Sequence, residues 1–327
     1  MAVPAGAFGT YSAVGNREDL AEKIYMISPT ETPFLSMAKR EDASNTIHEW
    51  QRDELAAANT ANAQIEGDDA ANGTSTPTGR LKNYCQISSK YAIVTGTQNA
   101  MNPAGRKREM AYQLMKKTQE LKRDMESILT ANHGSSAGGT GTARQLAGAE
   151  SWLTQYVNAG SATTETTQGY VTSTGLVTAP TDGTANNAGT FEVGDLKSII
   201  GTIWSAGGDP KVIMVNKFQK QQVSGFTGIA TLYREASNTA QGTRIIGAAD
   251  VYVSDFGEHR VVPNRFMRTN VALVLDMDYW AVAYLRKFEN IEIAKTGDAE
   301  KREILAEYTL TCRNQDASGK VVSLTTS

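Results

Sequence analysis

The sequence predicts an α+β fold organised around one long helix, and three observations carry that prediction. Residues 106 to 129, "RKREMAYQLMKKTQELKRDMESIL", run without glycine or proline through a chain otherwise rich in glycine, threonine and alanine. Residues 46 to 97 hold two strand-like runs, and residues 195 to 312 alternate helix signals with short apolar strands before closing on antiparallel ones. With 327 residues, 40% of them hydrophobic and 20% charged, the chain can bury a substantial core as one elaborated domain or two lobes.

Taken in order, the first fifteen residues carry no charge and suit an extended arm. Asn16 is a cap for a short helix in "NREDLAEKIYMI", which "SPTETPF" stops. "TIHEWQRDEL" and "RLKNYCQISSKYAIVTGT" then read as two strands of a long hairpin, with Leu81, Cys85, Ile87, Tyr91 and Ile93 on alternate positions and a polar tip containing Asn72-Gly73. Two strands alone are marginal in water, so the ribbon is expected to lie on its own body or on another subunit.

The long helix is expected to open at Asn102-Pro103 and to stop at "NHG", giving about 30 residues and roughly 45 Å. Met110, Leu114, Leu121, Met125 and Ile128, with Ala111 and Leu129, form its apolar sector. Glu109, Lys116, Glu120 and Arg123 fall opposite, where Lys116, Glu120 and Arg123 can pair along a wet face. Interspersed acids argue against a DNA-reading helix. Its one-sided stripe is expected to pack on the terminal sheet.

The glycine-rich stretch 134 to 153 follows a helix instead of a strand, and no GxxxxGK[ST] occurs, so phosphate binding is not indicated. Gln145 to Glu192 has no lysine or arginine and reads as a surface loop or insertion. A helix through Leu196, Ile199, Ile200, Ile203 and Trp204 is ended by Gly207-Gly208. The buried strand "DPKVIMV" follows, then a helix capped by Asn216, a hairpin turning at Gly257-Glu258, the strand "VALVLD", and antiparallel strands to the end with the tail "GKVVSL".

Chemistry is sparse. His48, His133 and His259 fall in different elements without metal-ligand spacing, Cys85 and Cys312 form no CxxC pair, and no GxSxG elbow is present. Asp276 and Asp278 would share a side if extended, but nothing nearby supplies a third ligand or a nucleophile. No catalytic, metal or cofactor site is expected. A net charge of −3 removes the usual reason for broad nucleic-acid binding. The first residues lack a basic start and a sustained apolar run, and "VALVL" is too short to span a bilayer, so a cytoplasm-made soluble protein is expected.

The order of parts, together with "LAEKIYMISPTETPFLS", "GTARQLAGAESWL" and "IAKTGDAEKREILAEYTLTCRN", resembles the tailed-phage major capsid proteins of the Hong Kong 97-type coat fold, in the branch of SU10-like head proteins. The resemblance implies residues 1–45 as an N-terminal arm with a short helix and 46–98 as an extended loop. It further implies 99–150 as a peripheral domain with a spine helix, 151–275 as an axial domain, and 276–327 as a return to the peripheral sheet. It implies assembly into pentamers and hexamers that form an icosahedral shell around double-stranded DNA, in a virion put together in the host cytoplasm. Portal, scaffolding and decoration or cement proteins would be partners, and no membrane would be. Some relatives crosslink through a lysine and an asparagine; Lys82 and Lys90 lie in the expected loop, but the arrangement that the reaction needs is not seen. Trp50, Arg52, Arg80 and Tyr84 on the hairpin are the expected contacts to an adjacent subunit. Two other readings stay open, a bacterial encapsulin shell of the same fold and a soluble enzyme with an unrecognised site.

Overall fold

A computed structural model describes residues 28–326 except 68, 70–72, 74, 76, 102–107, 161–168, 179–187 and 227–249. The expected arm, its Asn16-capped helix, the Asn102-Pro103 helix start and the Asn72 turn position therefore lie outside the described residues. The described chain begins with a one-turn helix α1 (Pro33–Met37), whose Phe34 and Leu35 are buried, and enters strand β1 (Lys39–Asp42). Strands β2 (Ile47–Arg52) and β3 (Gly79–Tyr84) form a separate antiparallel ribbon. β4 (Gln86–Thr95) follows β3 after a single buried residue, Cys85, but it belongs to a different sheet. The second arm of the expected hairpin is thus two strands, broken where the Cys85 amide donates to the Thr46 carbonyl at 2.8 Å.

A short helix α2 (Gly96–Ala100) precedes the long helix α3 (Glu109–Thr130), whose described part spans 22 residues. α3 ends because Ala131 turns extended, three residues before the glycine expected to stop it. Leu121, Met125 and Leu129 are buried as expected, and Glu126 is fully buried among them. Glu109 is also buried, contrary to its expected place on the wet face, and Ala111 is exposed. Glu120 takes its ion pair from Lys117 at 2.8 Å, one position along from the expected Lys116. Arg123 lies over the Phe266 ring at 5.4 Å.

Beyond a small hairpin loop that bridges Ser136 to Gln145 and Gly139 to Thr142 come α4 (Ala149–Trp152) and β5 (Gln155–Asn158). Helix α5 (Val193–Ser205) starts two residues before the expected Asp195, with Glu192 and Asp195 forming a reciprocal capping box. It ends as expected, Gly207 taking the left-handed conformation (φ +88°) that closes a helix cheaply. β6 (Val212–Val215), α6 (Lys217–Ser224), β7 (Val251–Ser254), β8 (Gly257–Pro263) and β9 (Ala272–Leu275) complete this lobe. Ser254 pairs with Gly257, so the β7–β8 turn is Asp255-Phe256, two residues earlier than expected.

Two long strands, β10 (Trp280–Ile293) and β11 (Ala299–Cys312), follow, then β12 (Gly319–Val322). One sheet has the order β1-β10-β11-β4, the other β5-β12-β9-β6-β8-β7. The tail strand β12 pairs with β5 and β9, so the chain ends in the six-stranded sheet and not, as expected, beside β10 and β11. Its approach to α5 demands a glycine: a Cβ on Gly319 would come within 2.6 Å of the Ile199 side chain. α3 packs on the four-stranded sheet, where Met110 and Leu114 meet Ala92 and Val94, and Lys90 pairs with Asp124 at 2.6 Å.

Candidate assembly interface

The pairing register of the ribbon divides the four expected contact residues into two pairs. Opposite residues of an antiparallel pair share a face. Trp50 faces Leu81 and Arg52 faces Gly79 on one side, whereas Gln51–Arg80 and Ile47–Tyr84 occupy the other. The first side lies on the chain's own body. Trp50 donates its indole N–H to the Cys312 carbonyl at 2.8 Å and meets the Trp152 ring at 5.5 Å with the two planes tilted by 44°. Arg52 is held by Asp316 and Glu54, and its side chain is 8% exposed. On the second side, Arg80 is 68% exposed and reaches Glu49 at 3.5 Å, and Tyr84 is half-buried.

Leu81, Cys85, Ile87, Tyr91 and Ile93 share alternate positions in the sequence, but the buried phase inverts after Cys85. Ile87, Tyr91 and Ile93 are 46%, 54% and 60% exposed, while the small residues Ala92 and Val94 lie under α3. Small residues let the helix come close; the large ones are left on the far face. Tyr91 shares a row with Glu303 and Ile291, and Ile93 shares the next with Lys301 and Ile293. At the other end of this face Glu307 is buried between Arg144 (2.6 Å) and Arg286 (2.9 Å). Towards Ile93 the apolar residues of β4 and β10 stay open to solvent on either side of Glu303 and Lys301.

The sheet that bears this face also has open edges. Among the described residues β4 pairs only with β11, and β1 covers β10 only from Ala281 to Tyr284, so from residue 285 on β10 has β11 on one side and no strand on the other. Unpaired strand edges are templates for further pairing.

Glu126 is the polar centre behind this surface. Its carboxylate accepts the amides of Phe34 and Leu35, both at 2.8 Å, and the Asn264 side-chain amide at 2.7 Å. Burial pushes its pKa up, and these three donors pull the other way. It fastens α1 and the loop after β8 to the long helix. An acid set among Leu121, Met125 and Leu129 was the sequence signal for it. Asn83, also fully buried, accepts the Ala147 amide at 2.9 Å and donates to the Leu310 carbonyl at 2.8 Å.

The residues with catalytic chemistry are dispersed. His259 is buried between the Pro210 carbonyl (2.5 Å) and the Ser254 hydroxyl (2.6 Å), and burial lowers its pKa, as it does for His48 and His133. Asp276 and Asp278 do not share an extended side. Asp276 accepts the Asp278 amide in a tight turn, and Asp278 pairs with Lys39 at 2.9 Å. Cys85 and Cys312 are free and buried, and burial raises both thiols, that of Cys85 to about 11. Lys90 lies under the long helix instead of in the loop. Among the described residues no three His, Cys, Asp or Glu side chains could hold a metal, and no helix is long and apolar enough to cross a membrane.

Comparison with known proteins agrees with this arrangement. The major capsid protein of Escherichia phage Phieco32 is 30% identical over 339 residues, covering 95% of each chain. The capsid asymmetric unit of cyanophage A-1(L) superposes with a TM-score of 0.58 at 11% identity, covering 97% of this chain and 98% of that one. The SrpI encapsulin of Synechococcus elongatus PCC 7942 superposes at 0.52 with 10% identity, covering 95% and 93%, so the fold by itself is common to head shells and to that compartment shell. The family model described as SU10 major capsid protein matches residues 7–325, and the chain belongs to that family.

Proposed function

We propose that the chain works as the coat subunit of a tailed-phage head, joining copies of itself as pentamers and hexamers into an icosahedral shell around packaged double-stranded DNA. Its work is contact between copies, and no catalytic step is assigned to it. One observation carries this reading: a large sheet whose far face bears Ile87, Tyr91, Ile93 and Ile291 in the open. Fully burying a large aliphatic or aromatic side chain contributes about 1.5–3 kcal/mol, so a row of them left bare in one subunit favours association. Exposed apolar side chains grouped on one face beside charged residues are a feature of interaction sites. The net charge of −3 also suits a container, because a strongly basic lining would hold DNA that must later leave.

On this reading Arg80 and Tyr84 contact an adjacent subunit, while Trp50 and Arg52 fix the ribbon to its own body so that the other two are presented at a set angle. The encapsulin reading shares the fold, but the family model and the 30% identical relative both favour the head shell. Electron microscopy and sedimentation of the purified protein test the proposal. Uniform closed shells are expected, and a persistent small oligomer without shells overturns it. Arg80→Glu should leave the melting temperature of the subunit unchanged and lower shell yield, measured in the same sedimentation profile.

A further inference from the structure

The turn between β7 and β8 sets a serine, a histidine and two exposed aromatic rings side by side. Ser254 and Gly257 close it, and Tyr252 pairs with His259 two residues further in. His259 is 1% exposed; its Nδ1 lies 2.5 Å from the Pro210 carbonyl and its Nε2 2.6 Å from the Ser254 hydroxyl. A carbonyl can only accept, so the ring proton sits on Nδ1 and the Nε2 lone pair faces Ser254. The serine proton therefore points at a base. Burial lowers the pKa of the imidazole and keeps it neutral, while the Asp209 charge favours the protonated ring once a proton arrives. The Phe256 amide donates to Ser254 Oγ at 3.2 Å, which stabilises negative charge on that oxygen. The Gly257 carbonyl, at 3.3 Å, is the weaker of the two acceptors for the serine proton.

The surroundings of this hydroxyl are open and apolar. Ser254 is only partly buried, and Phe256, two residues on, meets the Trp204 ring of α5 at 5.1 Å. Those rings are 42% and 59% exposed, and neither belongs to the core of the lobe. Phe256 reaches over Gly201, where a Cβ would stand 4.0 Å from its ring. A small apolar group can rest on such a pair. The exposed charges around the turn balance, Asp255 and Glu258 against Lys197 and Arg260, and Asp209 pairs with Lys211 at 3.6 Å. A neutral molecule is the one this surface suits.

We propose that Ser254 is an activated nucleophile and a site of covalent acylation, with small neutral carboxylic esters as acyl donors and Phe256 and Trp204 as the seat for their apolar part. Ser254 Oγ attacks the ester carbonyl carbon, and its proton passes to His259 Nε2. The bond from that carbon to the leaving oxygen breaks, and the leaving alkoxide takes the proton back from Nε2. An acyl-Ser254 and a free alcohol result, with no change in oxidation state. Each subunit takes up a single acyl group, and no turnover is assigned. The site lies in the six-stranded sheet and does not depend on the coat reading.

Covalent labelling of the full-length protein tests it. 4-Nitrophenyl acetate and, separately, an alkyl fluorophosphonate, which loses fluoride to an activated serine, are applied at neutral pH, and the adducts are mapped by peptide mass spectrometry. Ser198 and Ser205 on α5 are the internal comparison, since both are exposed and Ser205 donates only to the Gly201 carbonyl at 2.9 Å. Ser254 should label roughly tenfold or more faster than either, with a burst of nitrophenolate that matches the acetylated fraction. Ser254→Ala should remove the burst. His259→Gln keeps the serine but not the base, and should slow its labelling roughly tenfold or more while circular dichroism reports a folded chain. Labelling of Ser254 no faster than Ser198 and Ser205 overturns the proposal, as does undiminished labelling in folded His259→Gln. If that variant does not fold, the rate ratio within the wild-type protein decides alone.

Discussion

The two sheets of this protein are finished to different degrees. In the six-stranded sheet, β6, β9 and β12 are buried at every position, α5 covers one side, and Gly319 lets the helix sit close. The four-stranded sheet has the long helix on one face only, exposed apolar side chains beside Glu303 and Lys301 on the other, and, among the described residues, one open edge along β4 and another along most of β10. One sheet completes its core within the chain, whereas the other exposes the surface that a neighbouring copy would cover. The contrast separates substitutions that damage the subunit from those that damage only its association.

The largest effect on subunit stability is expected where the unfinished sheet meets its helix. Met125→Ala removes a fully buried side chain from the cluster that holds Leu121, Trp280 and Tyr308. It should cost about 2–5 kcal/mol, read as a lower midpoint in chemical denaturation of the unassembled subunit. A loss below about 1 kcal/mol would mean that the four-stranded side depends on its neighbours even for its covered face.

Glu126→Ala comes next. It strands the Phe34 and Leu35 amides and the Asn264 side chain in a buried site, at about 1–3 kcal/mol for an unsatisfied group, with effects that do not simply add. Glu126→Gln, which keeps one acceptor, should fall between alanine and wild type. Proteolysis near Pro33 should rise in the same order, because α1 is fastened there.

These elements also show what the sequence could and could not tell. The long helix was legible from its period, because Leu121, Met125 and Leu129 return on one side whatever they pack against. Which face of β4 is buried was not legible. Alternation groups Ile87, Tyr91 and Ile93, but it does not say on which side the helix will lie, and the helix chose the side with Ala92 and Val94. The destination of β12 was hidden for a related reason, since "GKVVSL" has the pattern of a buried strand in either sheet. Of the interface candidates, the sequence placed all four on the ribbon, and only the pairing register divides Trp50 and Arg52 from Arg80 and Tyr84.

Acid should act on the finished lobe. His259 has its pKa lowered by burial, so the folded state resists its protonation while the unfolded chain accepts a proton near pH 6.5. The stability tied to it is present above pH 6.5 and is lost as pH falls below that value towards the folded pKa. Thermal unfolding of the subunit should move to lower temperature between pH 7 and pH 5. His259→Gln should flatten that slope in part, since His48 and His133 shift in the same direction. An unchanged slope would remove His259 from the account.

The smallest effect on the subunit should be the most damaging to the shell. Ile93→Ser changes a side chain that is 60% exposed on the open face, and surface changes of this kind usually stay within about 0.5 kcal/mol. If the face waits for a neighbour, the same substitution removes apolar area from the contact, and association that repeats over many copies multiplies a small loss in each. Ile93→Ser with Tyr91→Ser should therefore give a subunit with wild-type melting and few or no closed shells by electron microscopy. Ala92→Ser, one residue away but under the helix, should lower the melting temperature while leaving the open face intact. Should the two variants exchange these phenotypes, the face under the helix would be the one that meets other copies.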